Sequence, residues 1–272
     1  MEFRAVDAPR QGWHAMAGKA TGSGNASRRP SRAVLSDETH DAIMELILDH
    51  QIAPGEHINI DALARDLDVS QTPVREALAR LESEDLVVKK ALRGYTATPL
   101  LTPEQVDDLF RFRALIEPWA ASRAAVVHTE DDAAAILAEL DGARQVDASD
   151  FDAAYAELGR HDARFHELVA RTSGSAYLAD ALTRTHCHMH MHRLYQARKS
   201  FSPEQQSNPE FVETVFREFY TPETGFLTVQ GHSEIAEAIF ARDADRAGAL
   251  MLDHIEGSRI RNSSAIQLLG GR

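Results

Sequence analysis

One change of period constrains the fold of this chain more than any other feature. Up to Leu86 the apolar residues recur every three or four positions. Ile43, Leu46 and Ile47 form one stretch, Leu63, Ala64 and Leu67 a second, and Val74, Ala77, Leu78 and Leu81 a third, the spacing of helices that bury one face. Residues 87–91 and 95–100 then alternate with a period of two on either side of Leu92-Arg93-Gly94, which reads as a hairpin with glycine at its tip. From Thr102 the helical period returns, and no strand pattern interrupts it over 103–127, 129–145, 150–172, 176–198, 210–220, 233–241 and 243–263. Ser36 is the expected N-cap of the first helix, which Pro54-Gly55 ends, and Asp68-Val69-Ser70 is the turn before the third.

The expected fold is therefore mainly α. Three helices followed by a hairpin, the order of a winged helix-turn-helix, occupy 35–100, and an antiparallel all-helical bundle of six or seven helices occupies 101–272. Residues 1–34, rich in Gly, Ser, Ala and Arg, are expected to be a flexible basic tail. Residues 199–230, with Pro203, Pro209, Pro222 and a short apolar helix over 211–219, look inserted into the bundle.

The net charge of −13 argues against a basic nucleic-acid-binding body, because neutralising phosphates needs clustered Lys and Arg. Its distribution softens that exclusion: Arg4, Arg10, Lys19, Arg28, Arg29 and Arg32 face only Glu2 and Asp7 within 1–35. Residues 36–100 are themselves acidic, so any DNA surface there must be a narrow basic face. The single cysteine, Cys187, excludes an internal disulfide framework and a four-cysteine zinc module, which points to a reducing compartment. No apolar run approaches the roughly 18 residues of a membrane span and no signal peptide opens the chain, so the expected location is the cytoplasm, with no membrane partner.

The longest motif runs Asp61-Ala62-Leu63-Ala64-Arg65-Asp66-Leu67-Asp68-Val69-Ser70-Gln71-Thr72-Pro73-Val74-Arg75-Glu76-Ala77-Leu78-Ala79-Arg80-Leu81, without a gap. It resembles the GntR family of bacterial regulators. Ser70 is placed to cap the third helix and Pro73 is tolerated in its first turn, which leaves Gln71, Thr72 and Arg75 outward at the end that enters a major groove. Arg75 suits a bidentate guanine or phosphate contact, Gln71 adenine, and Thr72 a phosphate or thymine methyl. The resemblance also assigns the wing tip, Arg93 and Gly94, to the minor groove or backbone. The family usually carries arginine where Gln71 stands, and a fatty-acid-responsive relative has another arginine where Asp61 stands, so the operator sequence does not carry over.

Leu109-Phe110-Arg111-Phe112-Arg113-Ala114-Leu115-Ile116-Glu117-Pro118 resembles the opening helix of the all-helical ligand domain, called FCD, of the FadR-type branch. That resemblance implies a homodimer on double-stranded, pseudo-palindromic operator DNA, a small-molecule effector, and repression as the commonest sign of regulation.

Histidines on apolar helix faces carry the second site. Asp162 and His166 share the buried line of their helix with Tyr155, Leu158, Phe165 and Val169. His232 aligns with Ile235, Ala236 and Ile239, and His254 with Ala247, Leu250, Met251 and Ile255. Buried together, one carboxylate and three imidazoles are costly unless paired, and a divalent cation satisfies them all. These four positions match the Asp and three His ligands of the metal-binding FCD subgroup; zinc, nickel or manganese would accept the set. Open metal positions would take a small carboxylate or sugar acid, with Arg113 closing over its far end or, alternatively, pairing with Glu117. In the run His186-Cys187-His188-Met189-His190-Met191-His192 at most His186 and His190 are expected to share a face and line the effector pocket. Two other readings stay open at this point: a metal that is structural or itself the signal, and a helical-bundle metalloenzyme with a DNA-binding module. No His-Glu-x-x-His, phosphate loop or nucleophile elbow supports the latter, so no enzymatic activity is expected.

Overall fold

The structure, a computed structural model, describes residues 32–147, 149–200 and 225–270. Of the expected tail over 1–34, residues 1–31 lie outside the described residues and 32–34 belong to the first helix; of the expected insertion over 199–230, residues 201–224, with the helix over 211–219, lie outside them, while 199–200 and 225–230 belong to helices of the bundle.

The first body begins with α1 (Arg32–Leu48), which starts ahead of Ser36, so that serine lies inside the helix and does not cap it. A two-residue strand β1 (His57–Ile58) follows, too short to leave a periodic signal in the sequence. Asn59 then caps α2 (Ile60–Asp66) by accepting from the amides of Asp61 and Ala62. Helix α3 (Gln71–Ser83) leads into β2 (Val87–Lys90) and β3 (Gly94–Ala97). The antiparallel sheet has the order β1-β3-β2, with His57 opposite Thr96 on one side of β3 and Val88 opposite Thr96 on the other. Ile43, Ile47, Val74, Leu78, Leu81 and Leu86 meet beneath it with no exposed surface. The apolar stripes that marked three helices are thus the three walls of one small core.

The second body is all helical. Its first helix, α4 (Pro103–Val127), opens with a capping box between Thr102 and Gln105, and α5 (Glu130–Arg144) with one between Thr129 and Asp132. Asp150 caps α6 (Phe151–Thr172). The stretch expected to be one helix over 176–198 is two, α7 (Ala176–Thr183) and α8 (Cys187–Ser200). The Thr185 hydroxyl donates to the Leu182 carbonyl at 2.7 Å, a local bond that competes with the helical ladder, and His186 turns the chain with φ +44°. Helices α9 (Gly225–Phe240) and α10 (Ala244–Gly270) are longer than their periodic cores.

Phe110, Ile136, Leu140, Phe165, Ile235, Ile239, Met251 and Ile255 fill the bundle. Helices α4 and α10 approach closely at Gly248, where an added Cβ would lie 3.2 Å from the Pro118 carbonyl oxygen and against the Ser122 hydroxyl. That hydroxyl donates to the Ala244 carbonyl at 2.8 Å. The two bodies meet along α8. Met189 packs on the winged-helix core, and the buried guanidinium of Arg193 donates to Thr98 Oγ1 at 2.9 Å and to the Thr98 carbonyl. Among the described residues no helix is long and apolar enough to cross a membrane.

Candidate metal centre and DNA-facing surface

Asp162 and His166 stand one helical turn apart on α6, His232 on α9 and His254 on α10, and one ligand atom from each lies within 4.8 Å of all the others. From Asp162 Oδ1 the distances are 3.6 Å to His166 Nε2, 3.5 Å to His232 Nε2 and 3.9 Å to His254 Nε2. The Nε2 atoms of His232 and His254 face each other at 3.2 Å. His232 is wholly buried, and its ring is held flat against Phe165, centroids 4.0 Å apart. At Gly231, beside this site, an added Cβ would come within 3.1 Å of His254 Nδ1, so a side chain there would push on the His254 ring.

The surrounding residues fix which ring nitrogen points inward. Glu139 accepts from His161 Nδ1 at 2.9 Å, so His161 Nε2 accepts from His232 Nδ1 at 2.9 Å, and His232 Nε2 is left with a bare lone pair. Arg164 donates to the other Glu139 oxygen at 2.9 Å. At His166, Nδ1 contacts Glu117 Oε2 at ion-pair range, and the buried Nε2 has no hydrogen-bond partner among the described residues. The His232 lone pair, His254 Nε2 at 3.2 Å from it, a His166 nitrogen without a hydrogen-bond partner and a carboxylate therefore converge on one point, an arrangement that a cation would satisfy.

The electrostatics agree. Burial opposes the charge on Asp162, but the His166 charge and the imidazole contacts outweigh it and hold the carboxyl well below its usual range. Burial likewise opposes protonation of His166, yet Glu117 and Asp162 raise it to about 9. Burial, with the neighbouring imidazole charges adding to it, pushes His232 well down and His254 down, so both are neutral ligands at pH 7. An anionic carboxylate and two neutral imidazoles fit a divalent ion as they stand, and His166 would exchange its proton for the metal.

Arg113 is buried and committed. Its Nε donates to Glu117 Oε1 at 2.5 Å, Nη2 to Oε2 at 3.5 Å and Nη1 to Cys187 Sγ at 3.3 Å. It pairs with Glu117 while still bordering the cavities beside Asp162. The expected face of α8 is corrected by the structure: His188 and His192 line the larger cavity, of about 530 Å3, and His190 lines neither. His186, just ahead of the helix, borders the smaller cavity of about 280 Å3. The helix begins at Cys187, and its cavity-lining histidines are His188 and His192, two residues on from the pair chosen from a continuous helix.

On the winged helix, Gln71, Thr72 and Arg75 stand exposed along the first turns of α3. Ser70 occupies the N-cap position, but its hydroxyl makes no capping bond, contrary to expectation. Gln71 Nε2 donates to Asp61 Oδ1 at 2.5 Å, and Gln71 Oε1 accepts from Arg75 Nη2 at 3.3 Å. Asp61 thus orients the Gln71 amide, and Gln71 in turn steadies Arg75. At the wing, Arg93 ends the turn between β2 and β3, where His57 Nε2 donates to the Arg93 carbonyl at 2.6 Å, and Gly94, expected at the tip, is instead the first residue of β3, paired with Lys90.

Comparison with known proteins matches both bodies. Residues 35–96 match the family described as bacterial regulatory proteins, gntR family, and residues 108–257 match the FCD domain. The LutR transcriptional regulator of Bacillus subtilis is 26% identical over 226 residues, 77% of this chain and 93% of that protein. The Nta operon transcriptional regulator of Aminobacter aminovorans is 32% identical over 124 residues, 44% of this chain and 55% of that one. A putative L-lactate dehydrogenase operon regulatory protein of Escherichia coli is 26% identical over 240 residues, 81% and 83% of the two chains. In fold the chain is similar to Escherichia coli McbR/YncC, with TM-score 0.59 and 18% identity over 85% of this chain and 98% of that one. A GntR regulator from Rhodococcus sp. RHA1 gives 0.58 and 21% over 87% and 98%. These are families of transcription regulators and not of enzymes. With the winged helix and the helical domain both matched, the chain belongs to the gntR family of bacterial regulators, in the form that carries an FCD domain, and is a DNA-binding transcription regulator.

Proposed function

We propose that this regulator represses its targets as a homodimer and changes its grip on operator DNA when a small carboxylate binds beside a divalent metal held by Asp162, His166, His232 and His254. The convergence of four ligand atoms around a buried His166 nitrogen that lacks a partner carries the reading. A bound zinc, nickel or manganese ion would supply a Lewis-acidic anchor for the carboxylate. Everything else is done by the chain's own residues: Glu117 orients His166, and Glu139 acting through His161 orients His232. A relative named for an L-lactate dehydrogenase operon agrees with an acid as the signal.

On DNA, Arg75 and Gln71 read bases from the start of α3, while Ser70 and Thr72 meet phosphates and Arg93 and Gly94 of the wing follow the adjacent backbone. One winged helix reads one half-site, so two copies are required. The exposed Leu115 and Trp119 on α4, 78% and 53% accessible, offer the apolar surface for the second copy.

Elemental analysis of purified wild type and Asp162→Ala, with melting temperatures recorded across organic acids with and without chelator, tests the reading. About one metal per chain in wild type, its loss in the variant, and stabilisation by an acid only with metal present are expected. Metal in neither protein would refute the site, and stabilisation by metal with no response to any acid would make the ion structural.

A further inference from the structure

Asp162 is not sealed inside the bundle: its side chain is 26% exposed, and it borders the cavity of about 530 Å3 whose walls come from both bodies of the chain. Met44 and Leu48 of α1 form one wall, and Phe110, Tyr155, Met189 and Met191 complete the apolar part. Asp162 and His188 stand at the end beside the metal centre, and Glu45, Asp49, Arg160 and Arg261 also border the cavity. Helix α1 is rooted in the winged-helix core by Ile43 and Ile47, so the Met44 and Leu48 part of this apolar wall belongs to the DNA-binding domain. Helix α8, which supplies the opposite wall, also reaches α1, where Gln196 Nε2 donates to Asp49 Oδ1 at 3.4 Å.

We infer that this cavity is a ligand site shared between the two domains, and that it takes an aryl or alkyl carboxylate rather than a short hydroxy acid. The inference rests on the proposed metal-and-acid reading of Asp162 and its neighbours. The carboxylate lies at the Asp162 and His188 end beside the metal centre, and the apolar body lies on the methionines, Phe110, Tyr155 and Leu48. Arg113, tied to Glu117 and Cys187, does not clamp the far end of a short acid. On the α1 side the ligand meets Met44 and Leu48, with Glu45 and Asp49 of the same helix at the cavity border. The volume suits a ligand of ordinary organic size, and methionines adapt to its shape. Each methylene moved from water onto these side chains gains about three- to fourfold in affinity. Because the ligand touches α1 itself, it acts on the position of the winged helix without a relay through the bundle.

Isothermal titration of the metal-loaded full chain with hexanoate, phenylacetate and glycolate tests this, alongside Leu48→Trp, which fills the cavity from the α1 side, and Met44→Ala, with metal content measured in each. The expected result is binding of hexanoate or phenylacetate at least about tenfold tighter than glycolate. That advantage should be lost in Leu48→Trp and reduced about three- to fourfold or more in Met44→Ala, while metal is retained. If Leu48→Trp does not fold, Met44→Ala decides. Glycolate binding as tightly as the larger acids, no acid binding at all, or acid binding indifferent to both substitutions would overturn the inference. Metal-dependent binding that ignores α1 would leave the metal reading standing, whereas α1-sensitive binding to a chain without metal would sink the metal reading and keep the shared cavity.

Discussion

His161 contributes to the candidate centre without being one of its four ligands. It passes the charge of Glu139 to His232 and so decides which nitrogen of that ring is bare. Replacing His161 with Phe keeps the ring and removes the relay. Metal affinity, measured by competition with a chelator, should fall by about 10- to 100-fold; an unchanged affinity would show that the relay does not matter. On the DNA side, Arg75→Ala should cost about 1–3 kcal/mol of operator affinity in a binding titration and relax preference at one base position, whereas a uniform loss across sequences would mark Arg75 as a phosphate contact. Asp162, His166, His232 and His254 were legible in the sequence because each interrupts an apolar line. His161 lies on such a line too, with Leu158 and Phe165, but nothing in its spacing points to Glu139 or His232 as its partners. Glu117 was legible only as a partner for Arg113, since a contact between α4 and α6 leaves no trace in spacing.

Helix α8 shows what periodicity alone misses at the scale of an element. The break at 184–186 depends on one threonine hydroxyl and one left-handed residue, neither of which alters the apolar pattern, and it rotates the histidine run so that 188 and 192 face the cavity. By contrast, the span of α4 was legible to the residue, because Thr102 with Gln105 marks its start and a long alanine-rich stripe follows. Burial pushes His188 and His190 each down to about 4. An unfolded histidine titrates near 6.5, so between those values the unfolded chain binds protons that the folded chain refuses. Stability should therefore be complete above about pH 6.5 and fall as pH drops towards about 4, by up to roughly 1.4 kcal/mol per pH unit for each histidine. Denaturant midpoints of metal-free protein measure this. His190→Leu should flatten the slope, and an unaltered slope would show that His190 is accessible to protons in the folded state.

At the scale of the whole molecule, the two bodies meet, among the described residues, through α8 against α1, Met189 in the winged-helix core, and Arg193 on Thr98 at the end of the wing. The two bodies were legible from the change of period at Leu86, but their meeting along α8 was not, because long-range contacts depend on which faces are left over once each core is filled. A coupling of the usual size, about 1–3 kcal/mol, changes operator affinity by about 5- to 150-fold. The decisive measurement is the affinity of the full chain for a duplex selected from random sequence by the protein itself, with and without phenylacetate, in metal-loaded wild type, chelator-treated wild type and Asp162→Ala. The expected result is an acid-dependent change of at least about fivefold in the metal-loaded protein alone. An equal change in all three samples, or none in the first, would contradict a regulator that senses its acid through these four residues.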